Sequence, residues 1–211
     1  LADPILTPFP FQKQQESLAD PISISFFSDR LIFSGKIEMN PGKQQKAFFF
    51  DRDGVINTDR GYVFRIEDFE FTDGLFSVMR KLQALGYVLI VITNQSGIGR
   101  GYYTETEFLK LTDWMNERLA AEKISIQGVY YCPHSPESDC ACRKPAPGML
   151  IQAIREHHLD PSASWLVGDK DSDMQAAEAV GIPNRVILGA SRSLHSTHTL
   201  SCLTELLELP V

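Results

Sequence analysis

No stretch of this 211-residue chain is apolar for long enough to cross a bilayer: its longest apolar runs, such as Tyr87 to Ile92, fall far short of the roughly 20 residues a membrane helix needs. The first residues lack a basic segment followed by an apolar stretch, so no secretory leader is expected. Runs of Lys and Arg are also missing and the net charge is −7, which argues against a nucleic-acid partner. Cysteine is scarce. Of the four, Cys132, Cys140 and Cys142 crowd around His134, while Cys202 stands alone. That distribution excludes a disulfide framework and points instead to metal binding in a reducing compartment, so a cytoplasmic location is expected. What remains is ordinary: 43% hydrophobic and 22% charged residues, in a chain long enough to bury one core without staples.

Residues 1 to 45 differ from the rest. They hold Pro4, Pro8, Pro10, Pro21 and Pro41 and the polar run Gln12 to Ser17. Leu-Ala-Asp-Pro-Ile occurs at Leu1–Ile5 and again at Leu18–Ile22, too short a repeat to build structure. This segment is expected to be a poorly ordered or dispensable extension, with residues 46–211 as the working domain. Met39 is a natural start for that domain. A truncation beginning at Met39 is expected to keep full activity; a folded but inactive truncation would refute that expectation.

From Ala47 onward strands alternate with helices. Ala47–Phe50 reads as a short strand, Leu75 to Leu85 as a helix stopped by Gly86, and Tyr87 to Ile92 as a strand covered on both faces. Thr104-Glu-Thr-Glu107 has the form of a capping box before a helix buried along Phe108, Leu111, Met115 and Leu119. Val129–Tyr131 is expected as a strand, Pro147 to His158 as a helix, Trp165–Val167 as a strand, Asp173 to Val180 as a helix and Arg185–Leu188 as the last strand. A terminal helix is expected over Ser201–Leu209, with His195 and His198 in loop and Cys202 in packing. The pattern is α/β, a doubly wound parallel sheet, in which ligands bind outside the carboxyl ends of the strands. Those ends carry Asp51, Thr93-Asn94 and Asp169.

Phe50-Asp-Arg-Asp-Gly54 sets two carboxylates two residues apart just past a strand, and Gly54 permits a sharp turn. If strand geometry persists, Asp51 and Asp53 share a face, where their repulsion calls for a hard cation or a shared proton. Asp169, Asp171 and Asp173 follow a later strand. Taken singly, any of these acids is as well explained as a turn residue or helix cap. Asp173 either orients a metal site or caps its helix, and Asp171 is expected to be solvated.

With these motifs the chain resembles the haloacid dehalogenase superfamily of phosphatases over about Ala47 to Leu188. The resemblance rests on Asp51-Arg-Asp53-Gly54, Val91-Ile-Thr93-Asn94, Arg143-Lys144-Pro and Gly168-Asp169-Lys-Asp-Ser-Asp173, in that order. It implies a nucleophilic Asp51 that forms an aspartyl-phosphate and an Asp53 that serves first as general acid and then as base. Mg²⁺ would sit among Asp51, the Asp53 carbonyl and Asp169, with Thr93 and Lys144 holding the phosphoryl oxygens. It also implies a Rossmann-like fold. With about thirty residues between Gly54 and Tyr87, only a minimal cap fits.

Cys132-Pro-His134 and Cys140-Ala-Cys142 supply a Cys₃His set suited to tetrahedral Zn²⁺, a structural site tying down the loop that ends at Arg143-Lys144. This zinc-binding loop resembles those of two phosphatase groups, the D-glycero-D-manno-heptose 1,7-bisphosphate 7-phosphatases and the histidinol-phosphate phosphatases. The former is favoured by Asn57-Thr-Asp59-Arg-Gly-Tyr62-Val, Thr93-Asn-Gln-Ser-Gly-Ile-Gly-Arg-Gly101 and Tyr130-Tyr-Cys-Pro-His134. Position by position, the resemblance implies substrate contacts from Asp59, Arg60, Gly61, Tyr62, Asn94, Gln95, Ser96 and Arg143, with Lys170 beside the metal. Gly99 is expected to loosen the loop after Ser96. The function so implied is Mg²⁺-dependent hydrolysis of a small phosphorylated sugar by a monomer. Histidinol-phosphate hydrolysis is the alternative, and a non-catalytic zinc-stabilised binding module is the alternative from another class.

Overall fold

The computed structural model describes residues 44–211, so the expectations for residues 1–43 fall outside the described residues. Within them the order is β1 (Ala47–Phe50), α1 (Leu75–Ala84), β2 (Val88–Asn94), α2 (Ser96–Gly99), α3 (Glu105–Ala121) and β3 (Ile126–Cys132). There follow α4 (Gly148–Glu156), β4 (Trp165–Gly168), α5 (Asp171–Ala179), β5 (Asn184–Leu188), β6 (His198–Leu200) and a 3₁₀ segment at Leu203–Glu208. Gln45, at the end of the expected extension, already bonds into the domain: it donates to the His158 carbonyl at 3.2 Å and accepts from the Asp160 amide at 2.9 Å.

The six strands form one sheet in the order β3-β2-β1-β4-β5-β6, each paired parallel with its neighbours. The period-two alternation of a strand sorts its apolar residues onto two faces. Phe48, Phe50, Leu89, Val91, Trp165 and Val167 pack with α1 and α3 through Val78, Met79, Leu82, Leu111 and Met115. Ala47, Phe49, Ile90, Ile92 and Leu166 face the other way, onto Leu150 and Ile154 of α4 and Met174 and Ala177 of α5. Both faces are thus covered, and the near-continuous apolar runs in the sequence follow from that. β1 lies at the centre, between β2 and β4. The chain winds outward to β3 on one side and to β6 on the other, so the switch point lies between β1 and β4. In such sheets a crevice opens there beyond the strand ends. Asp51 and Asp169 occupy those two ends.

Several boundaries differ from the expected ones. A sixth strand follows Arg185–Leu188: His198 lies in β6, paired with Val186, where a loop was expected. Three residues of polar and apolar mix carry no periodic signal of their own, and tertiary pairing decides the outcome. The terminal segment is 3₁₀ rather than α, and Cys202 is exposed at its start rather than packed. Helix α5 begins at Asp171, two residues early, because Asp173 caps from within: its Oδ2 accepts the Lys170 amide at 3.0 Å. Asp171 is also more than a solvated acid, since it accepts from Ser193 Oγ and Gln175 Nε2. The Thr104–Glu107 capping box forms as expected.

Candidate active site

Where β1 ends, the Asp51 amide still continues the ladder by donating to the Val167 carbonyl at 2.9 Å. Strand geometry stops there. A turn begins at Arg52, and Gly54 takes φ +88, a conformation costly for any other residue. Gly54 is required on a second count: a Cβ on it would come within 2.5 Å of Asp169 Oδ2. Asp51 and Asp53 both border the same cavity but take different partners. Asp51 joins Asp169 and Asp173, whose carboxylate oxygens lie within 4.8 Å of one another. Asp53 turns to Arg52, Asn57 and Gln95.

One buried cation organises the acids. Lys144 Nζ lies 3.0 Å from Asp51 Oδ1 and 2.5 Å from Asp173 Oδ1, and donates to the Ile92 carbonyl at 2.8 Å. Burial alone would lower the Lys144 ammonium, but the charges of Asp173 and Asp51 outweigh it and hold its pKa above the usual lysine value. The segment carrying Lys144 is clipped to β2 by Asn94, whose side chain donates to the Lys144 carbonyl and accepts its amide, both at 3.1 Å. Asn94 therefore spends its amide on the backbone beside the cavity. Gly168 makes room for Asp173, since a Cβ there would meet Asp173 Cβ at 2.4 Å.

The charges do not balance. Burial pushes Asp51 up, a rise that Lys144 opposes and Asp173 reinforces. Burial, joined by the charge of Asp51, raises Asp169 to about 6 against the pull of Lys170. Asp169 Oδ1 is buried and has no hydrogen-bond partner. An orphaned carboxylate oxygen amid excess negative charge fits a hard divalent cation, and carboxylates are the ligands Mg²⁺ takes.

Around this centre lies a cavity of about 370 Å³, within the usual range for a small-molecule site. Asp51, Asp53, Thr93, Lys144, Asp59, Gly61, Tyr62, Asn94, Gln95, Ser96, Arg143 and Lys170, all named from the sequence, line it. Arg60 does not. It is exposed and pairs with Glu70 at 2.6 Å, because the turn that Gly61 makes at φ +74 aims its neighbours differently. Lys170 reaches Asp59 at 3.3 Å and Asp169 at 3.4 Å, tying the 58–65 loop to the end of β4. Arg143 lines the cavity, and its Nη1 is buried without a hydrogen-bond partner. Tyr103, Ser172 and Asp173 also line the cavity, and of these only Asp173 stood out in the sequence. Arg52 was missed as well. It is 1% exposed and its Nη2 contacts both Asp53 oxygens at 2.8 Å and the Val63 carbonyl at 2.6 Å. An arginine set between two acids was the available signal.

Cys132, His134, Cys140 and Cys142 converge beside the cavity. Five of the six distances between their ligand atoms are 3.2 to 3.6 Å, and all four atoms lie within 4.8 Å of one another. A tetrahedron with Zn–S bonds of about 2.3 Å has edges of about 3.8 Å, so the set is nearly at coordinating geometry and far from disulfide length. Without a metal, burial pushes the Cys132 thiol up to about 12, a cost that coordination would remove. The loop is held by close approach. Gly99 donates to the Pro133 carbonyl at 2.8 Å, and a Cβ on Gly99 would meet the Ser135 amide nitrogen at 2.5 Å. Gly99 thus fastens the loop rather than loosening it.

In metal-free buffer, Asp51→Asn removes one of three clustered carboxylates while keeping its shape, and is expected to raise the melting temperature. A gain of ~1 kcal/mol corresponds to about 2–4 °C in a domain of this size. Lys144→Ala, which leaves two buried acids unpaired, should cost about 3–5 kcal/mol. Thermal and denaturant melts check both, and identical melting of Asp51→Asn and wild type would show that the cluster carries no excess repulsion.

The HAD-hydrolase-like family model matches residues 141–195. D-glycero-beta-D-manno-heptose-1,7-bisphosphate 7-phosphatase of Pasteurella multocida is 47% identical over 156 residues, 71% of this chain and 85% of that protein. The enzymes of the same name from Salmonella typhi and Escherichia coli K12 are 50% and 46% identical, over 69% and 72% of this chain and 81% and 83% of theirs. Among solved structures, D,D-heptose 1,7-bisphosphate phosphatase from B. bronchiseptica, complexed with magnesium and phosphate, superposes with a TM-score of 0.70 at 27% identity. It covers 77% of this chain and 96% of that one. A HAD-like phosphatase from Mesorhizobium loti gives 0.69 at 28% identity over 81% and 88%. With the fold, the acid cluster and this identity in agreement, the chain belongs to the D-glycero-β-D-manno-heptose-1,7-bisphosphate 7-phosphatase family of the haloacid dehalogenase superfamily.

Proposed function

We propose that this protein hydrolyses the 7-phosphate of D-glycero-β-D-manno-heptose 1,7-bisphosphate, with Asp51 as nucleophile. The observation that carries the reading is the three-acid cluster with its orphaned Asp169 oxygen, set at the switch point of the sheet beside a buried ammonium. Membership of the family supplies the substrate. The relatives at 46–50% identity carry the heptose name, so histidinol phosphate is not favoured. The lining acids and cations also leave little reason to read the domain as a non-catalytic module.

In the first step an Asp51 carboxylate oxygen attacks phosphorus, and the bond from phosphorus to the sugar oxygen breaks. Asp53 gives its proton to that oxygen, releasing heptose 1-phosphate. In the second step the Asp53 carboxylate takes a proton from water. The water oxygen bonds to phosphorus, the acyl-phosphate bond breaks, and inorganic phosphate leaves Asp51 free. Lys144 and Thr93 donate to the phosphoryl oxygens, which carry most of the charge during transfer. Mg²⁺, held by Asp51, Asp169 and the Asp53 carbonyl, would supply the positive charge that offsets repulsion between nucleophile and substrate. Arg143, a cation of the cavity wall, would contact the rest of the substrate, and its second phosphate is the matching anion. Zn²⁺ in the Cys132–His134–Cys140–Cys142 set would hold the loop that presents Arg143 and Lys144. The thiol cluster suits a reducing compartment, which supports a cytoplasmic setting. Among the described residues no helix is long and apolar enough to cross a membrane.

Phosphate release measured with Mg²⁺ on heptose 1,7-bisphosphate and on histidinol phosphate should favour the heptose, and Asp51→Asn should abolish it. A preference for histidinol phosphate would overturn the substrate while leaving the mechanism. Elemental analysis is expected to find one zinc per chain, and Cys132→Ser should lower both zinc content and melting temperature. Full stability after zinc removal would argue against a structural metal.

A further inference from the structure

Asp53 has to be held for two proton transfers in succession, and its carboxylate is held from two sides. Arg52 and Asn57, from its own turn, donate to it at 2.8 Å and 3.1 Å. Gln95 comes from 42 residues away, and its Nε2 donates to Asp53 Oδ2 at 3.0 Å. The same Nε2 donates to Thr93 Oγ1 at 2.9 Å, and Gln95 Oε1 accepts from Tyr103 Oη at 2.6 Å. Gln95 is 2% exposed, and both ends of its amide are engaged within the protein. It forms part of the cavity wall, yet its amide is already committed to neighbours rather than to a ligand.

An amide can turn over about its last bond, and the network around it decides which end points where. The turned-over amide would set its oxygen against the Asp53 carboxylate and would draw the Thr93 hydroxyl proton to itself, away from the cavity. Tyr103 opposes that turn. Its hydroxyl is buried, and burial raises its pKa to about 12, so it stays a donor at working pH. Its one hydrogen-bond partner among the described residues is Gln95 Oε1. The ring is seated by stacking on Phe64, with centroids 5.0 Å apart and planes 8° apart. The space for it exists because residue 97 is glycine: a Cβ there would lie 2.1 Å from Tyr103 Cε1. The Gln95 backbone is fixed separately, by donation to the Cys132 carbonyl at 2.8 Å.

We propose that Tyr103 and Gln95 are positioning residues for phosphoryl transfer: Tyr103 sets the Gln95 amide, and that amide holds the Asp53 carboxylate and the Thr93 hydroxyl in their working arrangement. By accepting from Gln95, the Thr93 oxygen is left with its own proton free to point into the cavity, where a phosphoryl oxygen would take it. The inference rests on the phosphatase reading given above, and it changes the part of Gln95 from touching substrate to acting through two neighbours.

Tyr103→Phe deletes one hydroxyl and keeps the ring. It is expected to lower kcat on heptose 1,7-bisphosphate about ten- to a hundredfold, the scale of a small misplacement of reacting groups, with KM unchanged and the melting temperature lowered by a few degrees because Gln95 Oε1 loses its donor. Gln95→Ala should give a similar kcat loss. The double variant should be no slower than Gln95→Ala alone, because the hydroxyl works only through the amide. Neutron crystal structures of the wild type and Tyr103→Phe, which tell an amide nitrogen from an oxygen, give a readout independent of turnover, in which the contact from Gln95 Nε2 to Asp53 Oδ2 is expected to be lost in the variant. A raised KM at unchanged kcat would make Gln95 a substrate contact, and multiplicative losses in the double variant would break the relay; either overturns the proposal. A wild type without turnover would refute the phosphatase reading, and the crystallographic contact would still decide whether Tyr103 sets the amide.

Discussion

The site depends on a single buried ammonium. Lys144 meets Asp51, Asp173 and the Ile92 carbonyl, and each partner belongs to a different part of the sheet's carboxyl edge. A lysine so enclosed is stable only as a cation with its partners in place, because leaving one buried charge unpaired is far more costly than burying a matched pair. The surroundings are built to that end. Gly168 has no side chain, so the Asp173 carboxylate can approach. Asn94 clips the Lys144 backbone from both directions. Asp173 also accepts the Lys170 amide, so the group that caps α5 is the one that anchors the ammonium. Helix position and charge position are thereby one constraint.

That constraint leaves negative charge over. Three carboxylates share the space of one buried and one half-exposed ammonium, and Asp169 keeps an oxygen with no partner. In a core assembled only for stability such a group would be replaced or paired. Its presence at the strand ends suits a site that a cation and an anionic ligand would complete together, the acids attracting the cation and the cation, with Lys144, Lys170 and Arg143, attracting the anion. Stability is given up locally so that binding energy is available where the chemistry takes place.

Much of this was legible in the sequence because it follows from period and position. Apolar runs bounded by Asp51, Asn94 and Asp169 announce a sheet covered on both faces, and a parallel sheet collects its strand ends in one crevice. The order of motifs then named the acids and Lys144. Less legible were the features set by contacts distant in sequence. β6 exists because β5 offers it an edge, not because His198–Leu200 favours a strand. Arg60 stands outside the cavity, exposed and paired with Glu70, at the turn that Gly61 makes. Asp53 departs from Asp51 because the chain turns at Arg52, whose own buried guanidinium captures the carboxylate. A motif states which residues are present at a site. Whether a polar side chain still has a free atom for a ligand depends on neighbours that the motif does not contain.

The thiol loop shows how far that dependence reaches. Cys132 closes β3, and its carbonyl receives the Gln95 amide; Pro133 receives that of Gly99. The loop then returns through Cys140 and Cys142 directly into Arg143 and Lys144. Both of its ends therefore bear on the cavity, one through the backbone of α2 and the other through the cations. A metal holding the four side chains at one point would remove the freedom of the loop between them, so that the cost of ordering it would fall on folding instead of on each binding event. Among the described residues no cap domain stands over the site. Its groups must be in place beforehand, and a loop that a metal would cross-link at the edge of the sheet is a physical way to keep them there.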